Sequence, residues 1–409
     1  MPALREDAES IVRSAIGAVL PDRAVQRALR GRRFPGRLYL IAVGKAAWRM
    51  AAAALEALEQ APDGGVVISK YGHIPAPLPG LECFEAGHPV PDENSVRAAQ
   101  AALALTENLR ESDTVLFLLS GGGSALFEAP LIPLEELQDV TDQLLASGAD
   151  IVEMNTVRKR LSAVKGGKFA RHCAPAQIEA VILSDILGDP LDMIASGPVS
   201  PDSASCREAL AVAEKYRLHL SAQAMACLRV ETPKALPNVH AQINGSVREL
   251  CRAAAERCRE LGYEPILLTD QLACEAREAG RFLAAVARTH RADGRPTAYL
   301  AGGETVVHLT GSGKGGRNQE LALAAAEGLA GLRNAALIAV GSDGTDGPTD
   351  AAGGYVDGET CARLAAKGLS IPSVLMENDA YHALAASGGL IVTGPTGTNV
   401  NDIAVLLLR

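Results

Sequence analysis

Short apolar runs alternate with helical segments along most of this 409-residue chain. Runs such as residues 37–43 and 114–119 lack the polar–apolar alternation of strands that have one face in water, so they predict strands covered on both faces. Strands separated by helices with short connections are typical of an α/β protein with a mainly parallel sheet. The same reasoning predicts a basic helix at 155–171 and a strand at 306–310.

Length and composition limit the number of domains and the kinds of partner. A chain of 409 residues corresponds to two or three domains of roughly 150 residues. The Pro-bearing segment 231–244 lacks helical periodicity and indicates a domain boundary. A net charge of −9 argues against nucleic acid and anionic membranes as partners. The eight cysteines form no CxxC pair, the first residues lack an apolar signal segment, and no apolar run approaches about 18 residues, so a cytoplasmic protein is expected.

Glycine-rich loops follow several of the predicted strands. Glycine lets backbone N–H groups approach an anion closely, and a helix N-terminus beyond the loop adds partial positive charge. One such loop alone is more often a tight turn, but several together, with Lys, Arg or Asp among them, predict a phosphate site. These loops lie at 44–45, 120–124, 184–189, 302–304, 311–320 and 341–347.

Two of these loops leave alternatives open. Residues 311–316 match GxGxxG, the dinucleotide fingerprint, so a nicotinamide enzyme must be considered; Lys314 and Arg317 nevertheless suit a transferring phosphoryl group better. Asp185 and Asp189 follow a predicted strand and can either hold Mg²⁺ or accept a hydroxyl proton, unless they only cap a helix. The pattern GxxxxGK[ST] is absent, which leaves a Walker-type loop unsupported.

Cations are concentrated in residues 155–171. Arg158, Lys159 and Arg160 are expected on a solvated helix face, because a charge run usually lies in water. The Gly-Gly pair that follows Lys165 disfavours helix, so this lysine could instead contact a ligand. His88 has no metal-binding spacing and is interpreted as a structural or supporting residue.

Taken together, the loops resemble those of the glycerate 2-kinase family, whose C-terminal part is the MOFRL domain. The similarity runs from about residue 41 to residue 402, with the blocks in the family's order. The blocks are GKAAWRMA, AGHPVPDENS, LLSGGGSAL, MNTVRKRLSAVKGGKFA, LSDILGDPLDMIASGP, LAGGETVVHLTGSGKGGRNQELAL, GSDGTDGPTDAAGG and TGTNVND.

The resemblance implies a fold and an activity. The implied fold has two α/β domains, a larger Rossmann-like N-terminal domain and a smaller C-terminal MOFRL domain, with the active site in the cleft between them. We predict these domains at residues 1–236 and 237–409. The implied activity is ATP-dependent phosphorylation of D-glycerate at the 2-hydroxyl, with Mg²⁺, to give 2-phospho-D-glycerate and ADP. Family members are often labelled hydroxypyruvate reductase, so an NAD(P)H-dependent hydroxypyruvate reductase is the alternative.

The matching blocks, together with the chemistry of the loops, predict site residues. The family's active-site lysine matches Lys45 and its active-site arginine matches Arg317. Asp189 is expected to complete the catalytic set, as a magnesium ligand with Asp185 or as the proton acceptor. The residues expected to bind nucleotide are Gly121, Gly122, Gly123, Ser124, Asn155, Lys165, Glu304, Gly313, Lys314 and Asn318. The residues expected to bind glycerate are Asn399, Asn401 and Asp402. ATP and D-glycerate are the expected partners, with a homodimer as one candidate assembly.

Overall fold

The computed structural model describes residues 2–409. The strands are β1 (Leu38–Val43), β2 (Gly64–Lys70), β3 (Glu82–Ala86), β4 (Thr114–Leu119), β5 (Gln177–Leu183), β6 (Val239–Gly245), β7 (Glu264–Leu272), β8 (Thr297–Gly303), β9 (Ala335–Gly341), β10 (Gly353–Asp357), β11 (Leu390–Ile391) and β12 (Asp402–Leu408). The helices are α1 (Pro2–Ala18), α2 (Pro21–Leu29), α3 (Ala47–Ala57), α4 (Glu93–Leu105), α5 (Gly123–Leu126), α6 (Leu134–Ala146), α7 (Ile151–Arg158), α8 (Lys168–Cys173), α9 (Cys206–Lys215), α10 (Ala222–Leu228), α11 (Val247–Glu260), α12 (Ala276–His290), α13 (Arg317–Leu329), α14 (Thr360–Ala365), α15 (Ile371–Met376) and α16 (Ala380–Ser387), with a 3₁₀ turn at Ile194–Ser196.

The chain forms two compact units. The N-terminal unit is Pro21–Asn244, and the C-terminal unit is Gly245–Arg409 together with the N-terminal residues up to Leu20. This division differs from the predicted domains 1–236 and 237–409. The boundary lies at Asn244 because β6 pairs at the edge of the first sheet. Helix α1 belongs to the C-terminal unit because it packs against α11 and β9, contacts that the local sequence does not reveal.

The N-terminal unit contains a six-stranded sheet in the order β3-β2-β1-β4-β5-β6. The pairs from β3 through β5 are parallel, as predicted. Alternate residues of β1 face different cores: Ile41 lies among residues of α4 and α8, whereas Leu40 lies among residues of α2 and α3. Burial on both faces explains why the strand reads as a continuous apolar run.

The sheet of the C-terminal unit has the order β11-β10-β9-β12-β8-β7 and is mixed. Strands β7 and β8 are parallel, whereas β12 is antiparallel to both β8 and β9. The expectation of a mainly parallel sheet therefore holds for the N-terminal unit only. Helices α12 and α13 pack with the apolar side chains on one face of this sheet. Within residues 2–409, no helix has the length and apolar character needed to cross a membrane.

The predicted helix at 155–171 is wrong over its central part. Helix α7 ends at Arg158, and α8 begins at Lys168. Between them the chain bonds to residues 129–131: the Ala163 N–H donates to the Ala129 carbonyl at 2.7 Å. Gly166 and Gly167 then adopt left-handed conformations, with φ of 57° and 79°, which glycine tolerates and a helix excludes.

The predicted strand at 306–310 does not form. Val306 makes only an isolated bridge with Glu275. The N–H groups of Thr310 and Gly311 donate to the Asn378 side-chain oxygen, at 2.7 and 2.9 Å. Because a side chain from a distant part of the chain satisfies these donors, no neighbouring strand is needed.

Candidate active site

Loops that follow β1 and β4 meet at the carboxyl edge of the parallel sheet. The Lys45 N–H donates to the Gly121 carbonyl at 2.9 Å, and the Ala46 N–H donates to Ser120 Oγ at 3.1 Å. Gly44 has φ of 122°, and a Cβ there would lie 2.3 Å from Ser120 Oγ. Glycine is therefore required for the two loops to approach, and their approach places Lys45 beside the glycine-rich segment 120–124.

The segment 120–124 presents backbone donors. Gly122 has φ of 89°, which turns the chain at the start of α5. The N–H groups of Gly121 and Gly122 donate to no acceptor within residues 2–409. Successive N–H groups around a left-handed residue form a concave arrangement suited to an anion, and phosphate binding by this loop stays a prediction.

Asp185 lies against this loop. A Cβ on Gly121 would be 2.2 Å from Asp185 Oδ2, so the carboxylate sits directly above the glycine. Asp189 follows four residues later with φ of 55°, and its Oδ1 is buried without a hydrogen-bond partner among the described residues. Mg²⁺ is usually bound by one or two carboxylates together with water and substrate phosphates. The two aspartates fit that donor set, although residues 2–409 contain no cluster of three or more metal-binding side chains.

His88, interpreted from the sequence as a supporting residue, lies at the same edge. A Cβ on Gly122 would be 3.0 Å from His88 Cδ2 and 3.3 Å from Lys45 Cγ, so all three residues are neighbours. Burial lowers the pKa of His88, and the charge of Lys45 lowers it further, followed by Lys70 and His73. A neutral imidazole in this position can accept a proton. The position of His88 in the sequence did not predict that it lies beside Lys45 and Gly122.

Asn155 and Ser124 are brought together by a residue that the sequence did not single out. Ser196 is fully buried; its hydroxyl donates to Asn155 Oδ1 at 2.8 Å and lies 3.2 Å from Ser124 Oγ. Arg158 donates to the Ser124 carbonyl at 3.2 Å. Asn155 is itself only 2% exposed, so it supports the glycine-rich loop from the protein interior, through Ser196.

The expectation of a solvated face for Arg158, Lys159 and Arg160 is wrong. Their exposed fractions are 8%, 1% and 0%. Lys159 Nζ lies 2.9 Å from Asp202 and 3.1 Å from Asp192, and Arg160 also faces Asp202. Buried charges need partners of opposite sign, and these partners lie more than thirty residues away in sequence, out of reach of a local pattern.

Lys165 does not reach the edge of the sheet. Its Nζ is fully buried, 3.0 Å from the Glu128 carboxylate and 2.7 Å from the Phe127 carbonyl. Burial lowers the pKa of Lys165, and the charge of Glu128 partly offsets this. These contacts are those of an internal ion pair, so the structure provides no surface on which this lysine could meet a nucleotide.

In the C-terminal unit, Arg317 begins α13 and lies in a cluster of charged and polar groups. Its guanidinium forms a two-point contact with Asp402 and lies 3.1 Å from Glu304. Burial raises the pKa of Asp402, and the hydrogen bond from Arg317 opposes that rise. Asn401 Nδ2 donates to Glu304 at 3.2 Å. Four predicted site residues, two of them assigned to glycerate and one to nucleotide, therefore form one connected group.

Asp346 caps the same helix. Its carboxylate accepts from the backbone N–H groups of Asn318 at 3.1 Å and Gln319 at 2.8 Å. Burial raises the pKa of Asp346 to about 6, although both backbone donors act in the opposite direction. Asn318, predicted to bind nucleotide, is 2% exposed and also directs its side chain to Asp346.

The GxGxxG segment has a packing role. A Cβ on Gly311 would lie 2.3 Å from the Glu377 backbone, and one on Gly313 would lie 2.5 Å from the Glu377 carbonyl. Lys314 places Nζ 4.2 Å from the ring centre of Tyr381. Within the described residues, no strand leads directly into this loop, so it lacks the strand–turn–helix context of a dinucleotide site. Of the last predicted loop, Asn399 is exposed, whereas Asn401 and Asp402 are buried.

Comparisons with known proteins agree across the chain. Residues 7–229 match a family model described as a domain of unknown function, DUF4147, and residues 297–402 match the MOFRL family. A D-glycerate 2-kinase of Thermotoga maritima is 51% identical, with 99% of each chain covered. A glycerate 2-kinase of Pyrococcus horikoshii is 42% identical over 99% of this chain and 97% of its own.

Less similar relatives and a solved structure complete the comparison. A protein of Agrobacterium vitis with the name putative hydroxypyruvate reductase is 41% identical over 91% of this chain and 87% of its own. A crystal structure of glycerate kinase from Thermotoga maritima superposes with a TM-score of 0.96 at 50% identity, covering 100% of both chains.

Proposed function

The chain belongs to the glycerate kinase family, and on that premise we propose that it transfers the γ-phosphoryl group of ATP to the 2-hydroxyl of D-glycerate, giving 2-phospho-D-glycerate and ADP. The observation that carries the proposal is the 51% identity to a D-glycerate 2-kinase over 99% of both chains. The N-terminal unit supports it with an anion-binding loop, a lysine and two carboxylates at one sheet edge.

We assign the nucleotide phosphates to the loop 120–124. Among the described residues, the N–H groups of Gly121 and Gly122 donate to no acceptor, and Lys45 lies beside them. Charge on the transferred phosphoryl group is spread over its oxygens, so a fixed cation and preorganised dipoles lower the barrier. Lys45 supplies the cation, and the close approach of Gly44 to Ser120 holds it in place.

Asp185 and Asp189 are the residues that would hold Mg²⁺. When bound, this ion neutralises phosphate charge during phosphoryl transfer. The buried Asp189 Oδ1, which has no hydrogen-bond partner among the described residues, is an oxygen that a cation would satisfy. Either aspartate, or the neutral imidazole of His88, is positioned to accept the 2-hydroxyl proton.

In the C-terminal unit we assign Arg317 to an anionic group of the reactants. Asp402 and Glu304 fix its guanidinium, and Asn401 links to the same cluster. Asn399 is the exposed member of the predicted glycerate loop and is assigned to the substrate. A homodimer and a cytoplasmic location stay predictions.

The alternative, an NAD(P)H-dependent hydroxypyruvate reductase, has weaker support. In the part of the chain that the structure describes, no strand leads directly into the GxGxxG segment, and its glycines make room for residues around Glu377. The relatives with the higher identities, 51% and 42%, carry kinase names.

Glycerate-dependent ADP formation in Lys45→Ala tests the proposal. We expect a loss of turnover of at least about 100-fold with an unchanged unfolding midpoint, because Lys45 is exposed and its side chain acts on the reactants. Lys215→Ala, which removes an exposed lysine paired with Glu153, is the matched control and should keep full activity. Wild-type kcat in Lys45→Ala would refute the assignment.

A further inference from the structure

Two left-handed turns face each other behind the glycine-rich loop. In one, Ala195, Ser196 and Gly197 have φ of 50°, 59° and 63°. In the other, Gly166 and Gly167 have φ of 57° and 79°. Consecutive non-glycine residues in the left-handed region are unfavourable and persist only where surrounding contacts enforce them, often at functional sites.

The contacts that enforce this conformation come from the Gly-Gly pair. The Gly166 N–H donates to the Ser196 carbonyl at 2.9 Å, and the Gly167 N–H donates to the Gly197 carbonyl at 2.7 Å. A Cβ on Gly167 would lie 2.9 Å from the Ser200 carbonyl, so a larger residue would crowd the segment that follows the turn 195–197. The two glycines that interrupt the predicted helix therefore hold the turn 195–197.

The turn 195–197 contacts the glycine-rich loop at two points. A Cβ on Gly123 would lie 2.6 Å from the Ala195 methyl group, so the backbone of the loop rests on this residue. Ser196 Oγ lies 3.2 Å from Ser124 Oγ. Both contacts are at the end of the loop that begins helix α5.

The direction of the hydroxyl protons follows from the geometry. Ser196 donates its single proton to Asn155 Oδ1 at 2.8 Å, so the proton between the two serines comes from Ser124. The Ser124 hydroxyl therefore donates its proton to Ser196 Oγ and has none left to donate to a ligand. A phosphate at this loop would then meet backbone N–H groups, whose direction depends on how firmly the loop is held.

We propose that Ser196 is a positioning residue: through Ser124 and Asn155 it holds the loop 120–124 in the conformation that binds nucleotide phosphate. This inference rests on the proposed function for the identity of the nucleotide as ATP. Ser196 is fully buried and acts only through the loop.

Ser196→Ala tests the proposal. It removes the hydroxyl while leaving the backbone conformation equally strained. We expect the Kd for ATP, measured by calorimetry, and the KM for ATP each to rise about tenfold, with a smaller change in the KM for glycerate. One oriented hydrogen bond corresponds to a factor of about this size. Ser124→Ala should give a similar rise, and the double variant should bind ATP about as well as either single variant.

Two further variants separate positioning from stability. Ser200→Ala is the matched control, because within residues 2–409 this buried hydroxyl bonds to the adjacent Pro201 carbonyl and to no other group; its Kd for ATP should be that of the wild type. Ser196→Gly removes the hydroxyl and also permits the left-handed backbone. It should unfold at a higher temperature than Ser196→Ala yet keep the raised Kd.

Each outcome bears on one claim. A wild-type Kd for ATP in Ser196→Ala, a recovered Kd in Ser196→Gly, or additive effects with Ser124→Ala would overturn the positioning role. A wild-type protein that binds no ATP would overturn it as well. A wild-type protein that binds ATP but does not phosphorylate glycerate would overturn the proposed function alone, because the Kd ratios would still test Ser196.

Discussion

A methyl group added at Gly121 tests whether the position of Asp185 controls catalysis. The backbone of Gly121 is outside the left-handed region, so alanine is conformationally acceptable there. The new Cβ would, however, lie 2.2 Å from Asp185 Oδ2 and 2.8 Å from its Cγ. The carboxylate must retreat by about 1 Å to regain an ordinary contact, and a misplacement of that size costs on the order of 100-fold in rate, or about 2.7 kcal/mol of barrier.

We therefore expect Gly121→Ala to lower kcat about 100-fold while the free energy of unfolding changes by less than about 1 kcal/mol, since the atom displaced is the end of a side chain. Steady-state kinetics and urea denaturation measure the two quantities. Gly17→Ala, where an added Cβ meets nothing within 4 Å, is the control for the substitution itself.

A double-mutant cycle identifies the cause. If the methyl group acts by moving Asp185, then Gly121→Ala combined with Asp185→Ala should be no slower than Asp185→Ala alone. Full additivity of the two losses, or wild-type kcat in Gly121→Ala, would refute the reasoning.

Three other predictions follow from buried or shifted groups. Lys165→Met should lower the free energy of unfolding by about 3–5 kcal/mol because it leaves Glu128 buried and unpaired, and Glu128→Leu in the same chain should recover most of the loss; additive losses in urea denaturation would contradict the pairing. Burial raises the pKa of Asp346 from 3.8 to about 6, so its contribution to stability is complete below about pH 4 and is lost as the pH rises through about 6, a change of about 3 kcal/mol. Asp346→Asn should remove that pH dependence of the unfolding free energy, and an unchanged dependence would assign it elsewhere. The pKa of His88 is lowered by burial and by Lys45, so if His88 accepts the proton, kcat/KM should fall at acid pH, below the ordinary histidine value of about 6.5. His88→Gln should then lower kcat and flatten that acid limb, whereas a retained limb would exclude His88.

The parts of the fold that the sequence predicted are those fixed by local patterns. Strand β4 was predicted at its observed bounds because apolar residues that alternate between two cores read as one continuous run. The contact of Gly44 with Ser120 was not predicted, although both loops were predicted to follow strands of a parallel sheet.

The predictions that were wrong concern features that depend on residues distant in the sequence. The predicted strand at 306–310 does not form, and the Asn378 side chain instead accepts hydrogen bonds from the N–H groups of Thr310 and Gly311. Arg160 was placed in water because its partner Asp202 is 42 residues away along the chain. Ser196 lies within one of the matching blocks, but the pattern assigned it no role, since that role arises where two turns, a helix and a loop meet. The motifs pointed to loops that the structure brings together at one sheet edge, but they could not show which polar residues support the glycine-rich loop from within.

Product analysis tests the central claim most directly. The protein is incubated with ATP, Mg²⁺ and D-glycerate, and the phosphorylated product is identified by ³¹P NMR against authentic 2-phosphoglycerate and 3-phosphoglycerate. We predict ADP and 2-phosphoglycerate in equal amounts. Formation of the 3-phosphate, or NAD(P)H oxidation with hydroxypyruvate in the absence of any glycerate-dependent ADP, would contradict the account.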